Sequence, residues 1–274
     1  MTAIAGMGGV GKTELAVQYA LRHEAEYPGG VCWLLARSGN LAAQILEKVE
    51  LQGQEVPQQW RDRPLTLNEQ VQWCWQNWQP EGRVLVVLDD VTELSDYQEI
   101  LPTLPNFCVV MTTRSRSIDA SFDLLSLDVL PKDEALELLR KILKGDRRIE
   151  RDPDAAAQLC GALANLPLGL ELVGRYLAKY RTLPLGEMLK RLQPTAAAMQ
   201  RDPQYQMTAQ WGVEAAFELT WQELDAAAQE VALLLSWFAP DVILWYLVER
   251  MMQRVQGEDY SLIEPTTQLD NTLS

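Results

Sequence analysis

Residues Gly6 to Thr13 read GMGGVGKT: a glycine, four residues, then Gly-Lys-Thr. That order and spacing suit the phosphate chain of a nucleotide. Gly8, Gly9 and Gly11 give the backbone freedom to turn several N–H groups toward the same anionic oxygens. Lys12 can reach the β- and γ-phosphates as a point charge, and the Thr13 hydroxyl can hold Mg²⁺. A helix starting here would present its N-terminus to the same anion. The expected nucleotide contacts are therefore Gly6, Gly8, Gly9, Val10, Gly11, Lys12, Thr13 and Glu14.

A second set of reactive groups lies about 75 residues further on, in RVLVVLDDV from Arg83 to Val91. The run Val84–Leu88 fits a strand buried on both faces, as in a parallel sheet. Asp89 and Asp90 stand at its C-terminal end, where open parallel sheets bind their ligands. Asp89 can serve the metal shell through water, and Asp90 can orient or deprotonate an attacking water. A third strand, FCVVMTT over Phe107–Thr113, delivers Arg114 to the same edge. That cation is either a solvent-facing strand-end residue or a group that stabilises charge on the γ-phosphate. The expected catalytic set is Lys12, Asp89, Asp90 and Arg114, with Thr13 and Asp89 as metal ligands.

The elements that must hold these residues alternate. MTAIA, with Ile4 inward, leads into the phosphate loop as a short strand, and a helix follows over Lys12–Glu26. Val31–Ala36 reads as a strand. Leu41–Leu51 reads as a helix capped by Asn40, and Gly53–Pro64 as a polar loop. Leu67–Trp78 carries Val71, Trp75 and Trp78 at helical spacing, so WCWQNW reads as packing rather than a base-stacking platform, having no basic residues interleaved. The strands at Val84 and Phe107 follow, then a short one over Leu124–Leu127. This is a doubly wound α/β pattern, a parallel sheet with helices on both faces.

The character changes after Leu130. Pro131 opens a helix whose apolar face is Ala135, Leu138, Leu139 and Ile142; Lys141 and Lys144 suit its end and Gly145 stops it. Helices are expected at Asp154–Asn165, Leu168–Tyr180 and Leu185–Leu192. A polar linker containing Pro194 and Pro203 is expected over Gln193–Gln206. Helices at Val213–Leu219 and Asp225–Phe238 come next, the second capped by Asp225. Trp211, Trp221, Trp237 and Trp245 read as core. The expected domains are 1–130 for the nucleotide, 131–206 helical, and 207–274.

Composition limits the partners. The 274 residues suffice for two or three small domains and are 47% apolar, enough for a sizeable core. The formal charge is −14, divided as −8 over residues 1–130 and −6 over the remainder. Neither part has the basic bias of a nucleic-acid surface, so a phosphate site would be a local positive pocket in a negative field. Cys32, Cys74, Cys108 and Cys160 are scattered, with no CxxC pair, and the only histidine is His23, which argues against a zinc site. Cys32 and Cys108 read as buried thiols and His23 as a surface residue. No apolar run reaches membrane length and no signal peptide is visible, so a cytoplasmic protein without membrane contact is expected.

As a set, GMGGVGKTELA, LVVLDDV, VVMTTRS and NLPLGLELVG resemble, in order, the NB-ARC group of STAND regulatory ATPases. These include plant immune receptors, apoptosome scaffolds and bacterial multidomain regulators. FELTWQELDAAAQEVALLLSWFAP resembles the entry to that family's winged-helix domain, and the likeness extends over nearly the whole chain. The resemblance implies bound ATP or ADP with Mg²⁺, phosphate and metal contacts by Gly9, Gly11, Lys12 and Thr13, and a γ-phosphate sensor at Arg114. It also implies that Pro167 packs near the adenine; the residues themselves equally allow Pro167 to be a helix start between packed helices. Asn165 replaces the family's usual glycine, which is expected to alter a turn and leave the Pro167 contact intact. The family's late histidine has no counterpart after His23, so the chain is expected to stop inside the winged helix; with only Met1–Ala5 ahead of the loop, an upstream adenine-covering segment is expected to be missing as well. No 34-residue self-similarity is present.

The function implied is a nucleotide-dependent switch with slow ATP hydrolysis. ADP would hold it closed, and ATP would favour a homo-oligomer of the longer protein, with sensor and effector domains outside this chain. Two other classes remain: a P-loop kinase or transferase acting on a small substrate, and a winged-helix DNA-binding regulator, against which the acidic balance argues.

Overall fold

The computed structural model describes residues 1–38, 40–199, 208–237 and 245–255. Five parallel strands form the sheet: β1 (Thr2–Ala5), β2 (Val31–Leu35), β5 (Val84–Val91), β6 (Phe107–Thr113) and β7 (Asp123–Ser126), in the order β2-β5-β6-β1-β7. Helices α1 (Lys12–Arg22), α2 (Leu41–Leu51) and α3 (Leu67–Asn77) cross between strands. Strand β5 shows why its sequence is almost unbroken aliphatic. Val84, Val86 and Leu88 enter the core beneath α2 and α3, while Leu85 and Val87 enter the opposite one with Ala16 and Tyr27. All five are at most 1% exposed, so the strand is buried on both faces as its composition predicts.

Local chemistry fixes the helix ends. The Asn40 side chain accepts from the Ala43 amide at 3.0 Å. Thr66 and Glu69 form a reciprocal capping box at α3. Trp75, 1% exposed, donates its indole N–H to the Ile100 carbonyl at 2.7 Å and stacks on Trp78, with Phe107 edge-on to both. The WCWQNW segment is therefore packing, as read. His23 stacks on Tyr19 and bonds Glu26 at 2.6 Å on the surface. Cys32 is buried, which pushes its thiol up to about 12, whereas Cys108 is only half-buried, with Arg83 donating to its sulfur at 2.9 Å.

A second core is wholly helical. It is built by α4 (Lys132–Ile142), α5 (Arg148–Arg151), α6 (Pro153–Ala162), α7 (Pro167–Lys179), α8 (Leu185–Met199) and α9 (Thr208–Trp221). Leu139, Leu159, Leu163, Leu170, Val173 and Met188 are among its fully buried residues. Ala215 and Ala216 of α9 join them. Helix α6 ends in a Schellman turn: the Ala164 amide bonds the Gly161 carbonyl and the Asn165 amide bonds that of Cys160, both at 2.9 Å. Ala164 and Asn165 both take positive φ, 51° and 55°. Asn tolerates that region, so the residue standing where the family has glycine is compatible with the turn.

Three expectations need correction. Gly53–Pro64 is not only loop: β3 (Gln59–Trp60) and β4 (Arg63–Pro64) pair antiparallel. Their two-residue connection, Arg61-Asp62, has φ 47° and 65° at residues that give no glycine signal. Helix α8 does not stop at Leu192 but runs through Pro194 to Met199. The following Thr-Ala-Ala-Ala-Met segment is rich in strong helix formers that carry the helix on despite the lost amide. The rest of the expected linker, residues 200–206, lies outside the described residues. Trp237 and Trp245 are 85% and 58% exposed rather than core. Trp221 is partly exposed, and the Trp211 side chain is outside the description. Asp225 does cap α10 (Ala226–Leu235), its carboxylate accepting from Ala228 at 2.8 Å, and no residue of α10 is buried.

The chain divides into two compact units, Met1–Gln222 and Glu223–Ser274. The second holds α10 and α11 (Trp245–Val255), and no strand is found among its described residues. No described helix is long and apolar enough to cross a membrane.

Candidate nucleotide site

The loop between β1 and α1 is shaped by close approach. A Cβ on Gly6 would stand 2.3 Å from the Leu127 carbonyl oxygen, so only glycine lets β1 turn there. Gly9 has φ +79°, and a Cβ on it would meet Leu168 and Leu166 at 3.1 and 3.2 Å. Gly11 also has positive φ; Gly8 does not, so the left-handed freedom expected of it is not used. The Val10 side chain is buried at 4% exposure and anchors the loop. The Glu14 side chain points away to solvent and accepts from Gln18 at 3.0 Å, so it does not converge with the others.

Lys12, at the start of α1, is 8% exposed, and its ammonium donates to the Met7 carbonyl at 3.0 Å. Burial lowers its pKa first, the Arg114 charge lowers it further, and Asp90 and Asp89 partly offset both. An added anion would relieve that unfavourable balance.

The end of β5 faces the loop. Thr13 donates its hydroxyl to Asp89 Oδ1 at 2.8 Å, and Thr112 of β6 donates to the same oxygen at 2.6 Å. With its proton spent on Asp89, the Thr13 oxygen can act outward only through lone pairs, as a metal ligand must. One hydroxyl and one carboxylate are the donor set by which Mg²⁺ is held when phosphates and waters complete its shell, so these residues fit that ion.

Asp90 follows in a left-handed conformation, φ 58°, at a break in the β5–β6 register between Leu88 and Val91. Such backbone costs about 1–3 kcal/mol in general. Thr112 holds it in place, accepting from the Asp90 amide at 2.9 Å. The Asp90 carboxylate lies between Arg37, at 3.4 Å, and Arg114, at 3.8 Å. The Arg114 guanidinium in turn lies within 4.0 Å of where a Gly8 side chain would begin.

Lys12, Thr13, Asp89, Asp90 and Arg114 are thus brought to one edge of the sheet. Pro167 arrives from the helical core as the first residue of α7. The Leu168 amide beside it donates to the Gly9 carbonyl at 3.2 Å, so the start of α7 sits on the tip of the phosphate loop. Sequence reasoning missed Thr112, Arg37 and the Leu166–Leu168 cover. Two hydroxyl residues closing an otherwise apolar strand, FCVVMTT, were the available signal for Thr112; Arg37, just past the end of β2, carried the same strand-end signal as Arg114. For the leucine cover nothing short of the fold itself would serve.

The sequence profile of the NB-ARC domain matches residues 1–147. The chain is 31% identical over 255 residues to Regulatory protein AfsR of Streptomyces coelicolor, covering 89% of this chain and 24% of that protein. It is 31% identical over 194 residues to the Arabidopsis thaliana protein named "Probable disease resistance protein At1g12290", covering 65% of this chain and 21% of that one. The chain therefore spans about a quarter or less of the length of these relatives. Among solved structures, that of Drosophila ORC bound to DNA aligns with 96% of this chain and 77% of its own at 14% identity and a TM-score of 0.37, too distant to argue from.

Proposed function

Because the chain belongs to the NB-ARC domain family, we propose that it is an ATP/ADP-binding regulatory switch module with slow ATP hydrolysis. In this reading the loop amides and Lys12 hold the phosphates, and Thr13 and Asp89 hold Mg²⁺. Asp90 orients the attacking water, Arg114 reports the γ-phosphate, and Pro167 packs near the adenine. The division into 1–130, 131–206 and 207–274, the last as part of a winged helix, belongs to the same proposal. So does ATP-favoured homo-oligomerisation of a longer protein in signalling or defence.

The observation that carries the reading is the 2.8 Å contact between the Thr13 hydroxyl and the Asp89 carboxylate, formed across 76 residues of chain beside a buried cation. A switch needs different contacts in its two states. The start of α7 resting on the loop tip supplies a contact that a nucleotide can favour or displace. The test is calorimetric titration of ADP and ATP with Mg²⁺ into nucleotide-free protein. Lys12→Ala removes a charge-assisted contact worth about 1.5–3 kcal/mol and should weaken binding by roughly 10- to 100-fold. Equal affinity in the variant and the parent would remove Lys12 from the site, and no binding of either nucleotide would sink the reading.

A further inference from the structure

We propose a second anion site, at the opposite end of α7 from the phosphate loop, that takes a compact small molecule bearing two or more phosphate groups. A cavity of about 370 Å³ opens between the end of α4, the α4–α5 connection and the end of α7. Lys144, Arg147, Arg151 and Arg181 stand on its wall, with Asp146 the one acid among its lining residues. In a chain of formal charge −14, four cations around one small cavity run against the general field.

Structural duties account for one of these four at most: Lys144 suits the C-terminal end of α4. The other groups that would need cations here are Asp146 and the free carbonyls at the end of α7. A single other residue, Arg148, serves both. Its guanidinium donates to both carboxylate oxygens of Asp146, at 3.0 and 2.9 Å from Nε. It also donates to the carbonyls of Tyr180 at 3.0 Å and Leu177 at 2.6 Å, and to that of Leu183. The Arg148 side chain is only 11% exposed, as expected of a residue spent on the interior. Among the described residues no side chain makes an ion pair or hydrogen bond with Lys144, Arg147, Arg151 or Arg181; Arg181 reaches Asp146 only through the longer-range effect of its charge. The neighbouring Lys141, by contrast, is paired with Glu137 at 2.8 Å.

The chemistry of the occupant follows from the shape and the donors. A concave site of this volume selects a small ligand over a flat macromolecular surface. Three guanidinium groups match phosphate oxygens by paired N–H donors, and the lysine adds a point charge. Helix α7 has 13 residues, roughly 20 Å at 1.5 Å per residue, so one rigid element joins this cavity to the loop tip that its first turn touches.

The probe is inorganic tripolyphosphate, titrated calorimetrically in buffer of physiological ionic strength. The Lys12→Ala protein is used so that the phosphate loop does not report. Saturable binding is expected, weakened at least tenfold by adding Arg147→Gln and Arg181→Gln; both residues are exposed, and a thermal melt checks that the fold is kept. Absence of saturable binding to the Lys12→Ala protein, or binding unchanged by the two added substitutions, overturns the proposal. A single-stranded oligonucleotide that binds more tightly than tripolyphosphate, and loses affinity with the same substitutions, would also overturn it, by assigning the surface to nucleic acid.

Discussion

Thr112 organises more of the site than its 1% exposure suggests. Its hydroxyl donates to Asp89 and accepts from the Asp90 amide, so one side chain orients a carboxylate and fixes a left-handed backbone turn. Thr112→Val keeps the shape, strands the Asp90 amide and leaves Asp89 Oδ1 with Thr13 alone. The expected cost is about 1–3 kcal/mol, the usual penalty for unpaired buried polar groups. Thr112→Ser should restore most of it, because it returns the hydroxyl and loses only a methyl. Urea unfolding of the three proteins measures this, and a Val variant as stable as the parent would show that the network is decorative. That Lys12, Thr13, Asp89, Asp90 and Arg114 would gather at one edge of the sheet was legible because each announces itself by type: Lys12-Thr13 after glycines, Asp89-Asp90 after five aliphatics, Arg114 after two threonines. Thr112 was not read: the paired hydroxyls that close FCVVMTT signal a strand end, but not that a carboxylate lies across from one of them.

At the scale of elements, the turn from α6 to α7 carries the strain. Ala164 occupies the left-handed position of a Schellman turn, where glycine avoids the clash of Cβ with its neighbouring carbonyl. Ala164→Gly should therefore stabilise the protein by about 0.5–1 kcal/mol, after allowing for the extra freedom glycine gives the unfolded chain. A urea midpoint that falls instead of rising would show that the Ala164 side chain contributes packing that outweighs the backbone relief. Elements set by local chemistry were readable: the Asn40 and Asp225 caps, the Pro131 start, the aliphatic β5. Elements that depend on tertiary support were not. Pro194 argued for a break that α8 does not make, and the Arg61-Asp62 hairpin lacks the usual turn residues. The exposed Trp237 and Trp245 show that an aromatic residue needs a facing surface before it becomes core.

At the scale of the molecule, the sheet and the helical core of the first unit are joined at the site by the main-chain bond from Leu168 to Gly9 at 3.2 Å, and the chain passes between them at Leu130, which packs on the helical core. Such a junction should let the two cores open separately. Scanning calorimetry is expected to resolve two overlapping transitions without ligand. Mg²⁺ and ADP at 100 times the dissociation constant should add about 2.7 kcal/mol and merge them, since a nucleotide bound between the loop and α7 would make both cores unfold together. Two transitions of which only one moves would show that the nucleotide engages the sheet alone. The sheet order β2-β5-β6-β1-β7 itself was not readable, because parallel neighbours are fixed by contacts between segments far apart in the chain. The alternation of strand and helix was, because it is written in the change of hydrophobic period.

The two hydroxyls on Asp89 have a stereochemical consequence. Thr13 and Thr112 both donate to Oδ1, which fills the lone-pair directions of that atom. Only Oδ2 is left to meet an incoming group. Any cation or water that reaches this carboxylate is therefore limited to one oxygen and one side of approach, and a chelating, two-oxygen grip would first require one of the threonines to let go.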